Sequence, residues 1–412
     1  MGNVKKLQTI RLIGGMTFYT PIFTLFLLQQ NMQLGFIVAA QTLFTVGMLV
    51  STVPTGILAD RWGQKRVILL GMLLDMLPII ALAVFRSPTA LLAFFAVRGV
   101  AIGARDGADE ALLYDSYVEE NGTSKGYNRA FGKMLSNDTL GFVIATAVAG
   151  FGVQFFGASS YIPLILVTAL ATFVSMLLGF TLRVCKHHTE HPSKAKFLDQ
   201  IKSGMKVVKT NHTIKALTIF GLLTLSGEYF LRQTYQPQFE QAAVPAIFLG
   251  LALSAGNLLN FITMRNVHRL EKYFTVDKLL LLITLALGVA YVLLGFSRSA
   301  WAVVVVFMLI QGLLNTQQPI ISDYVNQQIE SGRRSTTLSA ISFVQNMGQV
   351  IARVLLGISI GAIGLGHTYI AQGIYLILGG IIGVWYIRSC GCIYKIKHKE
   401  NTSPAVTAQL AN

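Results

Sequence analysis

The chain alternates apolar runs of membrane-crossing length with short polar connections, and few folds accommodate that pattern. A helix needs ~20 apolar residues to cross a bilayer, and in lipid only helices or closed barrels satisfy every backbone group. Hydropathy marks twelve such runs, at 8–29, 34–56, 67–85, 89–113, 129–156, 160–183, 213–235, 244–264, 277–297, 300–322, 337–362 and 368–388. Of the 412 residues, 53% are hydrophobic and 12% charged, whereas a soluble domain carries roughly 25% charged residues. The expected fold is therefore an all-α membrane protein, with twelve transmembrane helices in two pseudo-symmetric six-helix halves. The halves are expected at 1–184 and 212–390, joined by a cytoplasmic linker at 185–211 and followed by a cytoplasmic tail at 391–412.

A net charge of +15 would suit nucleic acid if the cations were gathered on one folded surface. They instead collect in alternate loops, as Arg129 and Lys133, then Arg265, Arg269 and Lys272, then Arg333 and Arg334. That placement follows the positive-inside rule and puts both termini in the cytoplasm of a plasma-membrane protein, with no nucleic-acid partner. The linker repeats Phe197, Ile201, Met205 and Val208 at helical spacing among lysines, the pattern of a basic amphipathic helix on the inner lipid surface. Cys185, Cys390 and Cys392 all fall on the cytoplasmic side, so no disulfide framework is expected. Cys185 with His187, His188 and His191 lacks the setting of a metal site, and no metal is expected. No cleavable signal is evident ahead of the first run.

Between the second and third runs, residues 56–66 read Gly-Ile-Leu-Ala-Asp-Arg-Trp-Gly-Gln-Lys-Arg. The charged side chains Asp60, Arg61, Lys65 and Arg66 cannot lie in hydrocarbon, and Gly56 and Gly63 permit close approach and a tight turn. This hairpin resembles the signature loop between the second and third helices of the major facilitator superfamily, at Gly56, Asp60, Arg61, Gly63, Lys65 and Arg66. The resemblance implies parallel six-helix halves with a substrate site at their interface near mid-membrane. It also implies that Asp60 closes a cytoplasmic gate against the start of span eleven, where a helix N-terminus attracts a carboxylate. Arg98, Gly99 and Gly103 in span four resemble the drug-efflux branch, and 107–115 is similar to a bacterial efflux subgroup. Gly141 and Gly150 share the glycine spacing of the drug-antiporter motif in span five, with Gln154 where that motif continues in glycine. Asp115 and Asp323 end spans four and ten in similar sequences, a weak repeat consistent with equivalent halves.

No phosphate loop, zinc spacing or nucleophile elbow is present, so neither an enzyme nor a cofactor is expected. Ionisable groups inside spans are costly, which makes them the candidates for coupling. Asp109, Glu110, Asp138 and Glu228 are the carboxylates that could carry a proton; Arg98, Arg105 and Arg353 are their charge partners. Each acid has a plainer alternative. Asp109 and Glu110 could be neutralised structural pairs, Asp138 a wetted carboxylate at the inner mouth, and Glu228 an acid neutralised by Arg232. Asp75, in a span that the family places at the periphery, reads as structural. Tyr19, Phe23, Gln41, Asn260, Gln311 and Asn315 are expected to line the substrate cavity. The expected function is proton-coupled export of amphipathic drugs or metabolites by a monomer in the lipid bilayer. The alternatives are import or facilitation of a small polar nutrient, or a non-transporting sensor or scaffold. Asp60→Asn is expected to lower transport without lowering expression; normal transport rates in that variant would remove the hairpin from the gate.

Overall fold

A computed structural model describes residues 2–85, 87–123, 126–183, 197–224, 228–329 and 334–390. Helices α1 (Asn3–Gly14) and α2 (Phe23–Leu28), joined through a 3-10 turn at Thr20–Ile22, form the first span, and α3 (Leu34–Ala40) with α4 (Thr42–Trp62) the second. Spans three to six are α5 (Gln64–Val84), α6 (Pro88–Asn121), α7 (Tyr127–Phe156) and α8 (Tyr161–Phe180). After α9 (Phe197–Thr210) come α10 (His212–Thr224) and α11 (Glu228–Gln241), then α12 (Ile247–Asn266) and α13 (Val276–Phe296). Last are α14 (Ala300–Leu313), α15 (Gln317–Gln328) and α16 (Arg334–Ser389). The last of these changes direction at Gly364, φ +80°, and so supplies two spans. Among the described residues, eight helical stretches are long and apolar enough to cross a membrane, and two of them, 129–180 and 340–389, each hold a pair of spans. The first and seventh spans, each described as two shorter helices, complete the twelve.

Local sequence explains where the helices depart from the hydropathy edges. The Ser87 hydroxyl accepts from the Ala90 amide at 3.2 Å to open α6, with Pro88 in the first turn, and left-handed Gly122 closes it. Its 34 residues rise ~51 Å, well beyond the ~30 Å hydrocarbon core. Its last two turns therefore project past the bilayer on the face that carries the N-terminus, called here the terminal face. The first span breaks after α1 at Gly14 and Gly15, where the residue-to-residue helical preference is weakest. Gly15 also lies so close to the Asp138 carbonyl of α7 that no Cβ would fit, and Gly141 of α7 meets the Leu12 carbonyl in the same way. This glycine pair lays α1 on α7. Helix α9 forms as its periodicity predicts and packs on α10 and α16, with Val208 buried. Residues 185–196, with the Cys185 and histidine group, and the tail at 391–412 lie outside the described residues.

The two halves meet through contacts that lie from mid-depth to the face opposite the termini. Gln236 of α11 reaches the first span, accepting from the Thr24 amide at 2.7 Å and donating to the Thr20 carbonyl at 2.9 Å. Thr146 of α7 and Ser254 of α12 share a hydrogen bond at 2.7 Å. Two glycine crossings flank these contacts. Gly35 of α3 and Gly357 of α16 each lie against the other's carbonyl, and Gly150 of α7 and Gly250 of α12 meet backbone to backbone. A Cβ at any of the four would strike its partner's main chain. The pairs occupy equivalent places in the two halves, since spans two and eight correspond, as do spans five and eleven.

Gly250→Val should therefore wedge the opposite face apart. In a background lacking the natural cysteines, a cysteine placed at Thr24 should react several-fold faster with an impermeant maleimide once Gly250 is Val. Unchanged labelling would show that the crossing is not what holds that face closed.

Candidate functional site

Beneath these contacts lies a cavity of about 490 Å³, walled by spans from both halves. Its closed end is aromatic. Tyr19, Phe23, Phe94 and Phe95 pack ring against ring, with centroids 5.4–6.3 Å apart. The Arg98 guanidinium lies 5.6 Å from the Tyr19 ring centre and 5.4 Å from that of Phe94, and also bonds the Tyr19 hydroxyl.

From Arg98 a run of alternating charges descends toward the terminal face. Arg98 Nε donates to Asp75 Oδ1 at 2.6 Å, and Arg105 lies 3.9 Å from Asp75 Oδ2 and 3.9 Å from Asp109 Oδ2. Arg11 then approaches Asp109 at 2.8 Å and donates to Asp106 at 2.9 Å. Asp109 is fully buried, yet neither of its oxygens receives a well-directed hydrogen bond. It is held by charge alone. Asp106, 54% exposed, marks the mouth. Small residues make room for this run. A Cβ on Gly71, one turn before Asp75, would collide with the Arg105 side chain, and one on Gly14 would stand 3.5 Å from its terminal nitrogen. Gly99 and Gly103 are turned to the backbone of α4, which leaves Arg98 and Arg105 directed inward.

Asp138 of α7 lines the same cavity and, among the described residues, has no cation within ion-pair distance. From the second half, Arg232 lies 5.5 Å from the Phe142 ring centre of α7 and pairs with Glu228 at 3.1 Å. The second oxygen of Glu228 accepts from Asn315 at 2.5 Å. Asn315 is left-handed, φ +59°, at the break between α14 and α15, a conformation asparagine tolerates better than most residues.

Among the residues expected from sequence, Tyr19, Phe23, Gln41, Asp138, Arg98 and Arg105 line the cavity, and Asp109 backs it. Asn260, Gln311 and Asn315 do not. Asn260 bonds the Gly312 carbonyl at 3.3 Å and that of Leu314, while Gln311 donates to Asn257 at 3.4 Å. Asn260 thus serves carbonyls freed where the tenth span breaks, Gln311 pairs with a cavity-lining amide, and Asn315 holds Glu228. Glu110 is exposed on α6 outside the cavity. Arg353 is buried and bonds Thr45 of α4 and Gln349, a link between the halves. Asp75, expected at the periphery, is a cavity residue, and Arg11 was not foreseen at all. In the hairpin, Gly63 is left-handed at φ +89°, Lys65 donates to the Phe180 carbonyl at 2.7 Å, and Gln64 donates to Asp115 at 2.9 Å. Gly56 meets open space and Arg61 and Arg66 are exposed. The Asp60 side chain lies outside the described residues.

Residues 9–275 match the Major Facilitator Superfamily. The chain belongs to that superfamily. It is 22% identical over 381 residues to the uncharacterized MFS-type transporter YxaM of Bacillus subtilis, covering 88% of this chain and 90% of that protein. It is 23% identical to Multidrug resistance protein 2 of the same organism, covering 85% and 86%. Among solved structures, the nucleoside transporter NupG superposes with a TM-score of 0.76 at 13% identity, covering 96% of this chain and all of that one. A bacterial homologue of the human lysosomal transporter Spinster, inward-facing and unoccupied, gives 0.74 at 14%, covering 95% and 97%. The facilitator is thus a multi-pass membrane transporter, and these structural likenesses bear on its fold.

Asp75→Asn removes the partner of two buried guanidinium groups, and loss of one member of a buried pair costs about 3–5 kcal/mol. The variant should melt well below the parent in detergent, and Asp75→Asn with Arg98→Gln should recover part of the loss. Equal melting temperatures for parent and Asp75→Asn would make the pair energetically idle.

Proposed function

We propose that this facilitator exports amphipathic drugs or metabolites across the plasma membrane in exchange for protons, with both termini in the cytoplasm. The observation that carries the coupling is the charge count around the cavity. Four guanidinium groups, Arg11, Arg98, Arg105 and Arg232, stand with five carboxylates, Asp75, Asp106, Asp109, Asp138 and Glu228. One acid is left over, and in a buried cluster an uncompensated charge is expensive. Asp138 is the acid without an ion pair, so it is the group that takes a proton or the cationic part of a substrate, but not both at once. That exclusion is what an exchanger needs.

The cations of the 56–66 hairpin and of the other loops on the terminal face support a cytoplasmic location for that side. With the opposite face held by the glycine crossings and Asp106 exposed at the mouth, the cavity opens to the cytoplasm. The inward-facing state of the Spinster homologue supports the same reading. Aromatic walls suit lipophilic cargo, and the similarity to Multidrug resistance protein 2 favours export of drugs over uptake of a nutrient. Gln64 bonded to Asp115 ties the hairpin to the end of α6, which supports the gating role that the family resemblance implies for the hairpin.

The test uses purified protein in liposomes with an imposed pH gradient and a fluorescent lipophilic dye. Gradient-driven dye accumulation should occur with the parent and fall to the level of empty liposomes with Asp138→Asn, while downhill exchange of dye persists. Unchanged gradient-driven accumulation in Asp138→Asn would move the proton to another acid, and accumulation that ignores the gradient would remove proton coupling altogether.

A further inference from the structure

Besides the paired arginines of the N-terminal half, the cavity presents carboxylates from that half and a guanidinium group from the other. On the N-terminal half, Asp106 is largely exposed and Asp138 lines the cavity beside it; Asp75 and Asp109 lie buried behind their arginines. On the C-terminal half, Arg232 is the cavity-lining charge, with 30% of its side chain exposed. Arg232 holds Glu228 through one terminal nitrogen, and its Nε has no acceptor among the described residues. Glu228 in turn is anchored by Asn315, so it cannot follow Arg232 into the cavity without breaking that bond.

Position gives these charges a common ruler. Asp138 and Phe142 are one turn apart on the same side of α7, which sets them about 5–6 Å from each other. Arg232 reaches across from the second half to within 5.5 Å of the Phe142 ring centre. An acid and a guanidinium group thus both neighbour one aromatic side chain, Phe142, in the lining of the same cavity. A plain lipophilic cation uses only one of them, and it meets Arg98 and Arg232 already lying on the rings it would stack against. A plain anion meets the surplus carboxylate.

From this arrangement we infer that the preferred cargo is dipolar: an aromatic or otherwise flat molecule with a cationic group at one end and a carboxylate at the other. The cationic end goes to Asp138 and the carboxylate to Arg232, and the ligand thereby bridges the two halves. The inference rests on the reading of the cavity as the transport site. It makes Arg232 the residue that separates zwitterions from simple cations. A charge-assisted hydrogen bond across a partly wetted interface is enough to shift affinity by about tenfold.

The experiment is equilibrium binding to the purified full-length protein, read by fluorescence anisotropy with a matched pair of dyes. One is a rhodamine free acid, which is zwitterionic; the other is its methyl ester, a plain cation of nearly the same shape. The parent should bind the acid about tenfold more tightly than the ester, and Arg232→Gln should bring that ratio to about one. Arg232→Lys, which keeps the charge but loses the flat donor edge, should retain part of the preference. Equal or weaker binding of the acid by the parent, binding of neither dye, or a ratio that survives Arg232→Gln would each overturn the inference. The parent's ratio needs no variant to fold. Failure of proton-driven dye accumulation alongside a clear acid preference would instead count against the exchange mechanism, so the two readings fail separately.

Discussion

Burying ionised groups in a membrane-spanning bundle is tolerable only when every charge has an opposite charge beside it, and that requirement organises the N-terminal half of this facilitator. Arg98, Asp75, Arg105, Asp109, Arg11 and Asp106 form one continuous sequence of neighbours running across α1, α5 and α6. The helices are spaced to suit it. Gly71 leaves a slot for Arg105, Gly99 and Gly103 bring α6 against α4, and Gly15 with Gly141 set α1 on α7. Without those bare positions the guanidinium groups would have no room at this depth, and without the guanidinium groups the aspartates would carry an unpayable desolvation cost.

The same geometry divides labour between the halves. The first half holds nearly all of the ionisable groups that face the cavity, while the second contributes Arg232, Gln233 and Asn257. Several of its other polar groups bond within the half. Thr224 and Gln317 bond at 3.0 Å, Gln317 donates to Thr284 at 2.6 Å, and Tyr369 donates to Thr234 at 2.8 Å. Apart from the bonds that Gln236, Ser254 and Arg353 make to the first half, these polar groups find their partners within the second half, which favours its movement as a body.

Much of this was legible in the sequence, because hydropathy and charge placement act through water and lipid rather than through particular contacts. The spans, the hairpin turn at Gly63 and the depth of Asp138 all follow from such general forces. Arg11 was not legible, since a cation at the very start of the run 8–29 reads as an edge charge rather than as the partner of a buried acid. Asp75 was misplaced because the resemblance gives the place of span three in the bundle but not the side of that helix on which Asp75 lies. The clue was Gly71, one turn earlier, a gap that only a large neighbour would fill. Asn260, Gln311 and Asn315 look like cavity amides in sequence. Asn260 and Asn315 are engaged instead at the interruption and Gln311 pairs with Asn257, and nothing in the neighbouring residues announces a left-handed asparagine at 315.

The glycine crossings at Gly35 with Gly357 and Gly150 with Gly250 also bear on how such a structure can move. Interlocked side chains must be withdrawn from their sockets before two helices can part, as knobs are from holes. Bare backbone surfaces have no teeth to clear. They can roll over one another like smooth cylinders, so contact is lost gradually and rotation need not begin with a costly unmeshing. A hinge of this kind is tight when shut and yet needs only a small differential binding energy to tip, on the order of 1.4 kcal/mol for each tenfold shift in population.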